Sequence, residues 1–449
     1  MKKTSRAGAA LLGLAAWALP GVAAAAALKD PPAKDYKAMA ARLVKRAIVV
    51  DTHEDVPERL GTEWVDIGVR NTTGHVDIPR LREGGVTAAF FADYVSSDYA
   101  KQGGAARKAL ELAELVHELV ESHPADLVFA DSVAGIRQAK RHGKIAVLIG
   151  IEGGHAIEDS LGALGAFYRL GVRYMTLTHT NTNAWADSSG SFWSLDFDPK
   201  SYAIHDGLTD FGREVVLEMN RLGMLVDVSH VSDATIADVL EVSKAPVFAS
   251  HSSCRALANV PRNLTDDQIR AIAKKGGVVM VNISSLFLDQ RAVDEWRSKR
   301  DALKPQIAEL REKYKDDPKK GEEEVTKLLG TVKYAPASWK IAVDHIDRVI
   351  KIGGREAAGL GTDFDGIEDP PAGLEDVSKL PIIAEELLRR GHSPQVVRGV
   401  LGENFLKFWT RAEKAKATVP PRKEPFSFTK PGPAADMNPA AEKKPASDR

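Results

Sequence analysis

Seven side chains of this sequence share one place in its hydrophobic pattern, each standing just after a short apolar run. His53 and Asp55 follow the run 47–50 in the stretch DTHEDVP, Glu152 follows 145–149, His179 follows 174–177, His230 follows 225–228, His251 follows 247–249 and Asp363 follows 358–361. Four imidazoles and three carboxylates with no thiolate among them form a donor set suited to zinc, with manganese, cobalt or iron as permissible substitutes. The His-x-Asp spacing puts both side chains on one side of an extended segment, so both can reach one ion. A second ion would draw on His230 and His251, and Glu152 can bridge, because each carboxylate oxygen can serve a different metal. Two such cations, about 3.5–4 Å apart, can share a hydroxide, lower its pKa and polarise a carbonyl for attack. Any single histidine of this kind is more often a structural or surface group; the set is what carries weight. His75, His117, His123, His142, His155, His205, His345 and His392 fall elsewhere in the pattern and are read as structural, although His155 lies only three residues past Glu152.

The elements that must position these groups can be read from the same runs. Together with 86–91 and 278–281 they make eight candidate strands, continuously apolar as in strands covered on both faces. Amphipathic stretches at 105–121, 209–221, 232–242, 266–275 and 339–352 alternate with them as helices. The order predicts an α/β fold, a (β/α)8 barrel occupying residues 28–414, with the polar groups at the C-terminal strand ends where barrel active sites are assembled. The unit at 145–187 shows the plan in small: strand, helix, strand, with Glu152 after the first strand and His179 after the second. A doubly wound open sheet is the alternative, but no G-x-G-x-x-G follows the first strand, so its dinucleotide-binding form is unsupported. Residues 291–327 are highly charged and read as a solvated helical insertion before the last strand, with a lid or partner contact as the sharper reading.

Composition narrows the class. With 44% hydrophobic and 27% charged residues the chain has a globular balance, and its formal net charge of −1 gives no electrostatic case for nucleic acid or an anionic membrane surface. Cys254 is the single cysteine, which excludes an intramolecular disulfide and a multi-thiolate metal site. Residues 1–27 combine Lys2, Lys3 and Arg6 with an Ala/Leu-rich run and small-residue cleavage sites, the pattern of a signal peptide for a periplasmic or secreted protein with no stable membrane span after cleavage. An uncleaved anchor is the competing reading, weakened by Pro20 and a short apolar run. Residues 415–449, rich in Pro, Lys and Ala, are expected to form a disordered tail.

The segments DTHEDVP, HVDIPRLREGGV, IEGGHAIEDSLGALGAFYRLGVRYMTLTHTNTNAWADS, VDVSHVS, ASHSSCRALANVPRNLTDD, GLGTDFDGI and GENF, in this order from 49 to 405, resemble the membrane dipeptidase (renal dipeptidase) family of zinc metallopeptidases, built on the metal-dependent hydrolase barrel. The resemblance implies a binuclear zinc dipeptidase, with two zinc ions per chain, acting through a metal-bridging hydroxide on dipeptides with a free C-terminal carboxylate and with some tolerance of a C-terminal D-residue. It further implies that His53 and Asp55 bind one zinc, His230 and His251 the other, and Glu152 both. His179 would contact the substrate and steady the oxyanion, Arg262 would hold the substrate carboxylate, and Asp363 would move the proton from water to the leaving amine. Arg255, in the same loop, competes with Arg262 for the carboxylate; the Arg-Asn step favours Arg262. The charged insertion is longer than the family core requires, and the charged C-terminus lacks a glycolipid-anchor signal, so the membrane attachment of animal members is not implied. A homodimer is compatible with all of this. A related amidohydrolase or lactonase, and a non-catalytic exported metal- or peptide-binding protein, are the alternative functions.

Overall fold

The computed structural model describes residues 35–195, 197–416 and 418–419. The expected signal peptide lies outside the described residues. So does most of the expected tail, and the final helix continues through Lys416, past the expected boundary at 414.

Among the described residues there are nine strands: β1 (Val50–Glu54), β2 (Ala88–Tyr94), β3 (Leu127–Phe129), β4 (Ile145–Glu152), β5 (Val172–Thr176), β6 (Leu225–Asp227), β7 (Phe248–Ala249), β8 (Val278–Val281) and β9 (Ala358–Leu360). They pair in the order β2-β1-β9-β8-β7-β6-β5-β4, all parallel, and β4 returns to β2 in continuous register from Ala88 opposite Ala146 to Tyr94 opposite Glu152. That pairing closes an eight-stranded parallel barrel surrounded by helices. β3 is an addition, lying along the first residues of β4 on the side that β5 takes over from Ile149 onward.

Two strand boundaries differ from the hydrophobic reading in a way that matters for the site. β1 starts at Val50 and runs to Glu54, and β4 runs on through Glu152, so His53 and Glu152 lie within strands rather than just past them. Apolar runs mark where side chains meet the core, whereas a strand ends where its backbone ladder ends. At the mouth of a barrel, polar residues can still be in the ladder. β3, only three residues long, was not expected; a run this short gives no periodicity to read.

Alternation along the strands builds two apolar layers. Val49, Phe91, Val147, Ile149 and Val279 pack outward under the helices, while Val50, Phe90, Leu148, Tyr174, Phe248 and Met280 fill the interior. Phe405, Phe408 and Trp409 from the last helix join the interior layer and close the end of the barrel where the strands begin. The opposite end is left for polar groups. Helices start on side-chain caps placed in the loops there: Ser232 accepts from Thr235 N two residues past His230, and Thr265 forms a capping box with Gln268 just past Arg262.

The charged segment folds as three helices, Gln290–Ala302, Lys304–Lys313 and Pro318–Leu329. It is anchored from beneath: Ala292, Val293 and Trp296 pack with Phe192, Val260, Leu286 and Phe287. Arg300 donates to the carbonyls of Phe192 and Ser194 at 3.3 and 3.1 Å. The insertion therefore backs the loop that follows β5. No helix among the described residues is long and apolar enough to cross a membrane.

On the outward face of β2, Asp93 breaks the apolar pattern. Asp93, on the same face of β2 as Phe91, is fully buried, and neither carboxylate oxygen has a hydrogen-bond partner among the described residues. Burial holds its carboxyl well above the usual range, opposed only by the ammonium of Lys108. The folded chain thus retains a proton that the unfolded chain releases near pH 3.8, so the stability penalty is absent at acid pH and grows as pH rises through the folded pKa. Asp93→Asn is expected to raise the melting temperature relative to wild type, by a margin that widens from about pH 4.5 to about pH 8. A constant margin in thermal melts across that range would show that Asp93 ionises without penalty.

Candidate active site

The barrel brings together all of the residues expected at its mouth. A register shift in β1 between Asp51 and Glu54 loosens the ladder there, a device that re-aims side chains beside active sites. His53 Nε2 lies 3.5 Å from Asp55 Oδ2, 3.6 Å from Glu152 Oε1 and 3.9 Å from Asp363 Oδ1. Asp55 stands at the cap position of the helix Val56–Thr62 but makes no capping bond, which leaves its carboxylate free to face His53. Gly366 gives it room, since a Cβ there would sit 2.2 Å from Asp55 Oδ2 and 2.8 Å from Asp363 Oδ1. Glu152 ends β4 with Oε1 at 2.9 Å from His230 Nε2 and 3.1 Å from His251 Nε2. The two imidazole nitrogens face each other at 2.9 Å. His230 and Asp363 both adopt left-handed backbone, φ 66° and 67°, a conformation that costs energy for non-glycine residues and concentrates at functional sites.

A second layer sets the imidazole orientations. His53 Nδ1 lies 2.8 Å from the Tyr174 hydroxyl. Tyr174 can occupy the barrel axis because Gly150 has no side chain; a Cβ there would lie 2.1 Å from the phenol ring. Ser250 Oγ donates to Asp227 Oδ2 at 2.6 Å, so it accepts from His251 Nδ1 at 2.7 Å, which assigns the proton to Nδ1 and leaves the Nε2 lone pair facing Glu152. Asn282 donates to Asp363 Oδ2 at 2.7 Å.

The charge balance is that of a ligand cluster. Burial drives Glu152 upward, yet His53, His179 and His230 together hold its carboxyl well below the usual range. Burial and the nearby Arg262 guanidinium depress His230, and burial, His53 and Arg262 depress His251, so both are neutral and basic nitrogens are available to a metal. Burial raises the Asp55 carboxyl well above its ordinary value, with Glu152 and Asp363 adding to it. Such a carboxylate is stabilised by a cation. Three sets of donor atoms lie within 4.8 Å of one another: His53, Asp55 and Glu152; Glu152, His230 and His251; and His53, His251 and Asp363. The first two share Glu152. Among the described residues His53 Nε2 and Asp55 Oδ2 are buried without a hydrogen-bond partner, as metal-directed atoms would be. The residues fit divalent cations.

His179 belongs to none of the three donor sets. Its ring lies 4.3 Å from that of His230 and 4.6 Å from Tyr94, and Thr180 Oγ1 is 3.3 Å from its Nδ1. Enclosure pushes its pKa down to about 4, which makes it neutral at pH 7. The two arginines separate clearly. Arg255 pairs with Asp233 through both terminal nitrogens at 2.7 Å. Arg262 is buried, donating to Ser252 Oγ at 2.8 Å and to the His251 carbonyl at 2.9 Å, with Nε unpartnered among the described residues. Burial lowers its pKa to about 10, so it stays charged. His155 is buried, with Nε2 3.0 Å from the Val95 carbonyl and no place in the donor sets, in keeping with a structural histidine.

The sequence reading missed Tyr174, Asp227, Ser250 and Asn282. Asn282 directly follows β8 and the same positional rule finds it once amides are admitted. Tyr174 sits inside an apolar run and carried no signal.

The sequence profile of the membrane dipeptidase family of peptidases matches residues 37–423. The chain belongs to the membrane dipeptidase family. It is a metallo-dipeptidase, and its fold matches solved members. The probable dipeptidase PvdM of Pseudomonas aeruginosa is 25% identical, with 85% of this chain and 99% of that one covered at a TM-score of 0.74. A metallo peptidase of Rhodobacter sphaeroides, solved with a phosphinate mimic of the dipeptide L-Ala-D-Ala, is 25% identical over 82% and 99% of the two chains at a TM-score of 0.65. Dipeptidase AC, also described as a metallo peptidase, is 26% identical over 82% and 98% at 0.66.

For this dipeptidase the buried contact between Tyr174 and His53 yields a direct test. Removing an outer partner of a ligating histidine typically costs about 10- to 100-fold in metal affinity or activity. Tyr174→Phe is expected to show a loss of that size in metal retention or turnover with an unchanged circular dichroism spectrum. Wild-type metal retention and turnover would place the contact outside the working site.

Proposed function

We propose that the protein is an exported binuclear zinc dipeptidase that hydrolyses dipeptides with a free C-terminal carboxylate. The observation that carries this reading is the Glu152 carboxylate shared between two donor sets, with the buried Arg262 guanidinium bonded to the backbone carbonyl of His251. One set, His53, Asp55 and Glu152, would hold one ion, and the other, Glu152, His230 and His251, would hold the second. When bound, two such ions polarise the scissile carbonyl and lower the pKa of water shared between them.

The remaining residues take their roles from geometry and charge. Arg262 orients the substrate through its terminal carboxylate, for which a guanidinium fork is the matching donor. Neutral His179, in the tautomer that carries its proton on Nε2, can donate it to the carbonyl oxygen as negative charge develops there, with Thr180 Oγ1 3.3 Å from Nδ1. Asp363, fixed by Asn282 and raised by burial, accepts the proton of the attacking water and returns it to the leaving amine. The C–N bond breaks as that nitrogen is protonated, giving two amino acids. Tolerance of a C-terminal D-residue is supported by the L-Ala-D-Ala mimic held by the Rhodobacter sphaeroides relative. Export to the periplasm or medium is supported by the basic and Ala/Leu-rich sequence of residues 1–27.

An amidohydrolase or lactonase acting on a neutral ester would have no use for a buried arginine at this position. Arg262→Ala is expected to raise KM for dipeptides about 10- to 100-fold, and to leave cleavage of a dipeptide amide, which lacks the carboxylate, unaffected. Asp363→Asn should lower kcat about 100-fold or more with metal content retained. Amino-acid release measured on L,L- and L,D-dipeptides, with zinc content determined on the same preparation, checks both. Equal loss on dipeptide and amide, or full activity after chelation, would overturn the assignment.

A further inference from the structure

The site contains a carboxylate that neither the metal sets nor the proton transfer uses. Glu58 lies in the first turn of the helix Val56–Thr62, three residues after Asp55, so its side chain leaves the same face of that turn as the Asp55 carboxylate. Its helix begins two residues past β1 and packs against β2 and the helix Ala105–Ser122, and its charge acts on Asp55, Glu152 and Asp363 and on the Tyr94 hydroxyl at the end of β2. It is half-buried, and among the described residues its carboxylate has no hydrogen-bond or ion-pair partner. The opposing charge that acts on it is that of Lys108, on the helix Ala105–Ser122 packed against its own. Tyr94 packs edge-on against His179 at 4.6 Å and so lines the barrel mouth.

A bound dipeptide poses an electrostatic problem that Glu58 solves. Its two ends are oppositely charged, and the α-ammonium is attached one carbon from the carbonyl that is attacked. Asp55, Glu152, Asp363 and a shared hydroxide would together offset two divalent cations, which leaves none of these anions to face an ammonium brought to the scissile carbonyl unless another carboxylate is supplied. Arg262 answers the carboxylate end. We infer that Glu58 is a specificity-determining residue that receives the free α-ammonium of the substrate, opposite the carboxylate clamp at Arg262, and so selects dipeptides over N-acylated analogues. This rests on the dipeptidase reading and extends it to the amino end of the substrate. A half-buried, unpaired carboxylate among other carboxylates gains more from an arriving cation than a solvated one does.

The test compares a dipeptide with its N-acetyl derivative on zinc-loaded enzyme, wild type against Glu58→Gln and Glu58→Asp. Glu58→Gln is expected to raise KM for the free dipeptide about tenfold or more, to move kcat much less, and to leave KM for the acetylated substrate where it was, so that discrimination between the two collapses. Glu58→Asp should restore part of the discrimination, since it keeps the charge and shortens the reach. Zinc content should be equal in all three. An unchanged ratio of kcat/KM values in Glu58→Gln, or an equal loss on both substrates, overturns the role of Glu58 while leaving the dipeptidase assignment standing. Failure of the wild-type enzyme to cleave the free dipeptide overturns the assignment and this inference together.

Discussion

The constraint on which the rest of the structure depends is the burial of the Glu152 carboxylate at the centre of the barrel mouth, within 4 Å of His53, His230 and His251. A carboxylate taken out of water must be matched by positive charge or by hydrogen-bond donors. His230 and His251 are held neutral and supply no charge, and His53, whose pKa the surrounding carboxylates raise, can supply one proton at most. Divalent cations supply the charge, and they turn a costly arrangement into a reactive one.

Much of the surrounding architecture serves this point. Gly150 clears space for Tyr174, which orients His53; Asp227 and Ser250 orient His251; Gly366 admits Asp55 and Asp363 side by side. The aromatic residues Phe405, Phe408 and Trp409 seal the other end, so the polar groups stand on a packed interior rather than over a channel. The helical insertion, locked to the loop after β5 by Arg300 and the Phe192 cluster, buttresses one side of the mouth from outside. Positive backbone φ at His230 and Asp363 shows where that framework holds side chains in conformations the local chain would not choose.

The sequence was most informative where function and fold point in the same direction. All eight barrel strands were marked by apolar runs because parallel strands under helices are buried on both faces, and the ligand candidates stood out because each interrupts such a run at the same end. What stayed hidden did so for physical reasons. Strand limits at His53 and Glu152 depend on backbone pairing, which polarity does not report. Tyr174 looks like any other core aromatic until its hydroxyl is found beside His53. That Arg255 is already paired depends on Asp233, a partner distant in sequence. Glu58 gave no signal, because a lone acid in the first turn of a helix is an ordinary helix feature.

The central claim is that Glu152 joins two metal sites. Anomalous X-ray diffraction recorded above and below the zinc edge, from crystals of the zinc-loaded protein, tests it most directly. The account predicts two peaks, one enclosed by His53, Asp55 and Glu152 and the other by Glu152, His230 and His251, with His179 coordinating neither. A single peak without Glu152 in contact, or a peak bound by His179, would contradict it.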